Sequence, residues 1–139
     1  MQIENYKLNN LIQAVGKIKN QPGLSYGVVF NLAKVMKFGE ESLKPFFTTV
    51  EEIKKDHPQA KGEDGKPVFV PVGNGQQRPM FEDEDGMQVK MVDLSNEKTD
   101  FVMEKFEITI KKLETRLTLD LVKTFMDVFG DGFVVTETD

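Results

Sequence analysis

The feature that most limits how this chain can fold is a change in its apolar period. From residue 7 to 57, apolar side chains recur every three or four positions, whereas Phe106, Ile108 and Ile110 alternate with Glu107, Thr109 and Lys111. The first spacing puts apolar groups on one face of a helix, the second on one face of a strand. A chain carrying both predicts an α+β fold: an N-terminal antiparallel helical hairpin, a small mostly antiparallel sheet and a C-terminal helix packed across it. With 139 residues it is sized for a single α+β domain, helical over about 7–57 and strand-containing over about 67–139.

Punctuation places the elements. Leu8, Leu11, Ile12, Val15 and Ile18 predict a helix from Lys7 to Asn20, stopped by Gln21-Pro22-Gly23. Ser25 is the expected N-cap of the next helix. Its first face reads Val29, Phe30, Ala33 and Met36, and its second Leu43, Phe47, Val50 and Ile53. Gly39 and Pro45 interrupt the pattern. A long kinked helix from Ser25 to Asp56, or two helices meeting near Gly39 to Glu41, is therefore expected. His57-Pro58 ends it. Pro67–Val72 reads as an edge strand because proline lacks the N–H that a central strand needs. Gly73-Asn74-Gly75 is a turn, and the residues up to Met80 are irregular or a second strand. Met87–Val92 alternates as a strand, and Glu97–Lys105 predicts a third helix with Phe101 and Val102 inward. Thr118 is expected to cap a last helix with an apolar face of Leu119, Val122, Phe125, Met126 and Phe129. Gly130 stops it, and Phe133–Val135 follows as a short edge strand.

The chemistry-bearing residues are few. The chain has no cysteine, which excludes disulfides and thiolate chemistry and favours a reducing setting or a virus particle. Its one histidine, His57, cannot build a multi-histidine metal site and reads as a helix-end or surface group. Glu82-Asp83-Glu84-Asp85-Gly86 is the strongest charge run. It fails the EF-hand pattern, because Phe81 stands where the first ligand belongs. Gly73-Asn74-Gly75 lacks the further glycines and the lysine of a phosphate loop. No cofactor is expected. No stretch approaches the ~20 apolar residues of a membrane span, so no membrane partner is expected either. Residues 1–57 hold eight Lys/Arg and six Asp/Glu, net +2, and residues 58–139 hold ten and seventeen, net −7. Without a basic face, nucleic acid is an unlikely partner.

What remains is surface for proteins. Phe46 and Phe47 are adjacent, so on a helix they point about 100° apart, and one is free to meet a partner. Met80 and Phe81 form a second candidate contact beside the acidic turn, where Glu82, Asp83, Glu84 and Asp85 would select a basic partner.

Leu24-Ser25-Tyr26-Gly27-Val28-Val29-Phe30-Asn31-Leu32-Ala33-Lys34 follows an apolar helix and is succeeded by Asp64-Gly65-Lys66, the Glu107-Ile108-Thr109-Ile110 strand and a final helix. That order resembles a group of small, generally uncharacterised bacteriophage proteins. The likeness spans most of the chain as a pattern and carries over no functional residue; the acidic turn and Phe133-Val134-Val135 depart from it. It implies a non-enzymatic accessory or virion assembly component, in the host cytoplasm or the virion, that self-associates or binds other virion proteins. A small inhibitor of a host factor, acting through an acidic surface, is the alternative.

Overall fold

The computed structural model describes residues 1–111 and 113–139. The fold is α+β. Its contacts gather in two compact units, Met1–Lys44 with Asn96–Asp139, and Pro45–Ser95. The change of period near residue 57 does not mark that division.

The first unit opens with strand β1 (Gln2–Glu4) and helix α1 (Asn5–Ile18), whose Leu8, Leu11, Val15 and Ile18 are buried as their spacing requires. Helix α2 (Tyr26–Asp56) begins where Ser25 Oγ accepts from Val28 N at 3.3 Å. It is one continuous helix that contains Pro45, so the break near Gly39 does not occur. Gly39 has another role. A Cβ there would lie 2.9 Å from Ile12 Cδ1, so glycine is what lets α2 come this close to α1. The buried face of α2 in this unit is Val28, Leu32, Val35 and Leu43. The expected face was displaced by one residue: Val29, Phe30 and Ala33 are exposed, and Lys34 Nζ lies 4.9 Å over the Phe30 ring.

The expected helix over Glu97–Lys105 is instead strand β4 (Lys98–Asp100) followed by irregular chain with a bend at Val102. It pairs antiparallel with β1, placing Ile3 opposite Thr99. The reason is tertiary: β1, three residues long, offers a pairing edge that local propensity does not reveal. Phe101 is buried as expected, whereas Val102 is exposed.

Strand β5 (Phe106–Lys111), helix α4 (Leu119–Phe129) and strand β6 (Phe133–Thr138) form a parallel β–α–β unit. Phe106, Ile108 and Ile110 face the core, while Glu107, Thr109 and Lys111 face solvent. Thr118 Oγ1 caps α4 by accepting from Leu121 N at 3.3 Å. Gly130 ends the helix with φ of 53°, a left-handed angle that suits glycine. On α4, Leu121, Phe125, Val128 and Phe129 are buried; Leu119 and Met126, expected inward, are exposed. Phenylalanines fill this core. Phe125 lies 5.1 Å from Phe106 and 5.0 Å from Phe133, and Phe106 lies 5.9 Å from Phe129. Among the described residues, two of the three strand pairs are antiparallel and each sheet has two strands. No helix among the described residues is long and apolar enough to cross a membrane.

Candidate functional site

All eight candidate contact residues, Phe46, Phe47, Met80, Phe81, Glu82, Asp83, Glu84 and Asp85, fall in the Pro45–Ser95 unit. It opens with the last stretch of α2, where Phe46, Val50 and Ile53 keep the three-to-four spacing. Among them only Ile53 is fully buried. Phe46 is half-buried and Phe47 is 44% exposed; the rings meet edge-on at 5.2 Å.

A hairpin follows, built from β2 (Phe69–Gly73) and β3 (Gln76–Pro79). Asn74 at φ 52° and Gly75 at φ 72° form its two-residue turn. Positive φ at both central positions matches the right-handed twist of paired strands, which is why Asn-Gly serves here. The possible second strand of the sequence reading is therefore real. The hairpin is extended by Met80, whose carbonyl accepts from Ala60 N at 2.7 Å and whose N–H donates to Val68 O at 2.9 Å. Glu82 N donates to Pro58 O at 2.9 Å. The Met80–Glu82 backbone is thus held from both sides while the Met80 side chain stays 38% exposed.

The acidic run is not the free turn it resembles. It opens helix α3 (Glu84–Asn96), and this overturns the expected Met87–Val92 strand. Asp83 Oδ1 accepts from Gly86 N at 3.2 Å, and Glu84 and Asp85 occupy the first turn, where carboxylates meet the positive end of the helix dipole. Glu84 is committed further. Arg78 donates to both its oxygens, at 3.0 and 2.8 Å, and Phe81 N donates to Oε1 at 2.9 Å. The Arg78 hydrogen bonds, and then that from Phe81, bring the Glu84 carboxyl down to about 2. Glu82, Asp83 and Asp85 remain exposed.

His57 is not at the surface but 4% exposed. Its Nδ1 lies 2.9 Å from Glu82 O and its Nε2 2.9 Å from Lys90 Nζ. A carbonyl only accepts and an ammonium only donates, so Nδ1 carries the proton and Nε2 receives. The ring fastens the chain after α2 to α3. Sequence reasoning missed this role and that of Arg78. His57-Pro58 looked like a helix end, and nothing in the spacing of Arg78 and Glu84 across a turn announces a pair.

Phe69, Val72, Val89 and Val92 are exposed alongside Phe47 and Met80, whereas Ile53 and Leu94 are the buried apolar side chains of the unit. The structure brings Met80, Phe81, Glu82 and Glu84 together on one strapped segment. Among the described residues, no ring contact joins Phe46 or Phe47 to Phe81, and no three His, Asp or Glu side chains gather as a metal-binding group. Elsewhere, an open groove of about 450 Å³ runs beside Asn10, Gln13, Lys17, Thr118, Asp120 and Thr124. None of the eight candidates lines it.

No family model matches the chain, and neither a curated protein nor a solved structure matches it.

Proposed function

We propose that the chain is a non-enzymatic interaction protein, an accessory or assembly component of the kind its resemblance to small bacteriophage proteins implies, and that residues 45–95 are its docking element. One observation supports this above the rest. The unit leaves Phe47, Phe69, Val72, Met80, Val89 and Val92 in solvent while fully burying Ile53 and Leu94. Exposed apolar side chains are candidate contacts for a partner, and aromatic and methionine side chains are enriched at the centres of interfaces. The straps on Met80–Glu82 hold one anchor in place before binding, which lowers the entropic cost of association. Glu82, Asp83 and Asp85 would favour a basic rim on the partner. The reading as an inhibitor with a continuous acidic face draws less support, because Arg78 takes up Glu84 in the middle of the run.

A photo-crosslinking side chain introduced at Phe47, and separately at Met80, tests the reading. One common adduct from both sites is expected, with lower yield when Glu82→Lys and Asp85→Lys are added. Different adducts from the two sites, or none, would remove it.

A further inference from the structure

Strand edges with unpaired N–H and C=O groups template further pairing, and proteins usually guard them. This chain guards most of its edges. Strands β2 and β3 carry Pro71 and Pro79 and a register shift between Pro71 and Gly73. Strands β1 and β4 are three residues each, bear Glu4, Lys98 and Asp100, and Thr99 Oγ1 is tied to Ser42 O at 3.2 Å. Leu24 bridges Ile110 on β5.

Strand β6 is guarded least, with Glu137 as its one charge. It runs six residues without proline, lysine, arginine or bulge, and Val134 to Thr138 are exposed throughout. Phe133 N closes on Gly130 O. Beyond it, among the described residues, the β6 backbone pairs only with β5. A two-stranded sheet is marginal in water, and parallel pairs are normally found within larger, covered sheets.

The sequence of β6 says what fits beside it. Its register with β5 puts Phe133, Val135 and Glu137 on the side of buried Phe106, Ile108 and Ile110, and Val134, Thr136 and Thr138 on the other. A two-fold axis perpendicular to the sheet keeps each side on its own side, so residues of one side must oppose each other. Centred on Val135, β6 then meets an antiparallel copy of itself with Val135 opposite Val135, Val134 opposite Thr136 and Phe133 opposite Glu137. β-Branched residues then face one another at the three central positions, and Phe133 faces Glu137 at each end. Glu137, the single charge of the strand, stays away from its counterpart, whereas parallel pairing in register would stack the two.

We infer that β6 is the contact edge for a second copy of this chain, giving a four-stranded β5-β6-β6-β5 sheet across a two-fold axis. One six-residue strand pair falls short of the ~1,200 Å² at which stable interfaces begin, so the dimer dissociates on dilution. The inference is independent of the docking role of residues 45–95, since it rests on the other unit.

Light scattering coupled to size exclusion, run over a dilution series, reads it directly. The parent is expected to reach twice the 15.8 kDa of one chain at high concentration and to fall to one chain on dilution. Val134→Lys with Thr136→Lys sets like charges opposite each other and should hold the protein at one chain, with its circular dichroism unchanged. Val134→Glu with Thr136→Glu should do the same, and mixing the two variants should restore the two-chain mass. A parent of one-chain mass throughout, its edge empty or kept for another protein, overturns the inference. So does a two-chain mass that survives both variants, or a mixture that stays monomeric. Crosslinking at Phe47 and Met80 is unaffected by any of these results, so failure here leaves the docking reading standing.

Discussion

The two units solve the same folding problem with different means. The unit of residues 1–44 and 96–139 has a core with a cluster of rings, in which Phe106 and Phe125 each meet three others within 6.5 Å. Residues 45–95 have no comparable centre. They are held by a type I′ hairpin, backbone straps at Ala60, Val68 and Met80, the Arg78–Glu84 pair, and the His57 bridge. Apolar burial contributes in proportion to area, whereas a hydrogen bond contributes a net of only ~1 kcal/mol and penalises its own loss. One unit is therefore stabilised by what it hides. The other spends its apolar side chains on the surface and depends on a few polar fasteners.

The largest effect should come from the ring core. Phe106→Ala removes a side chain that is 2% exposed and touches three other rings, and a loss of ~3–5 kcal/mol is expected. Urea denaturation followed by near-ultraviolet circular dichroism measures it. A loss below ~1 kcal/mol would mean that the cluster is not the stabilising centre, and the contrast between units would fail.

His57→Ala is the matching cut in the second unit. It leaves Glu82 O without its partner and takes from Lys90 Nζ one of two, Asp56 Oδ2 at 3.9 Å being the other, at a cost of ~1–3 kcal/mol. The effect should be local. Amide hydrogen exchange is expected to speed up over residues 79–90, while the amides of β5 and α4 keep their protection. Equal acceleration in both units would show that they unfold as one, and the comparison would lose its meaning.

The same contrast explains what was readable in advance. Where apolar periodicity decides, in α1, in β5 and in the extent of α4, the sequence and the structure agree. On α2 the period was legible but its phase was not, because Val28 and Val29, or Phe46 and Phe47, offer adjacent faces and only the packed partner chooses between them. Residues 87–94 carry two patterns at once. Met87, Val89 and Met91 alternate as in a strand, while Met87, Met91 and Leu94 follow helical spacing. The Asp83 cap and the Glu84–Asp85 first turn decide for the helix, a signal that in the sequence alone also fits a surface turn. Strand β4 had no local signal, because β1 supplies its reason from a hundred residues away. The candidate contacts were legible as residue types. The Arg78, His57 and Lys90 fasteners beneath them were not, since each pairs across a fold that must already exist.

A pH titration isolates one fastener. The Glu84 carboxyl lies near 2 in the folded chain, against an ordinary value of 4.5. Depression in the folded state means that the Arg78–Glu84 pair stabilises the chain above pH 4.5 and that this contribution is lost as pH falls from 4.5 towards 2. Because the pair is partly exposed, the effect should be modest and weakened by salt. Arg78→Gln is expected to flatten the acid dependence of exchange protection over residues 78–86. An unchanged profile would remove the pair from the account of what holds this unit.

The smallest expected effect on stability is the most telling. Phe47 is 44% exposed and meets only Phe46 among the rings, so Phe47→Ser should change folding stability by no more than about 0.5 kcal/mol. The same substitution in the ring core would be crippling. If residues 45–95 are built for docking, the loss appears when a partner is present. Truncating an aromatic anchor at the centre of an interface costs ~2 kcal/mol or more of binding free energy, a thirtyfold weakening or greater. Stability and binding should therefore separate cleanly at this position, and the measurement is a melting curve beside a titration with the protein recovered by crosslinking at Met80. A melting temperature that falls as far as it does for Phe106→Ala would return Phe47 to the core. An unchanged melting temperature with unchanged binding would leave the exposed apolar side chains of this unit without a role in recognition, and the difference between the two units would then reflect packing alone.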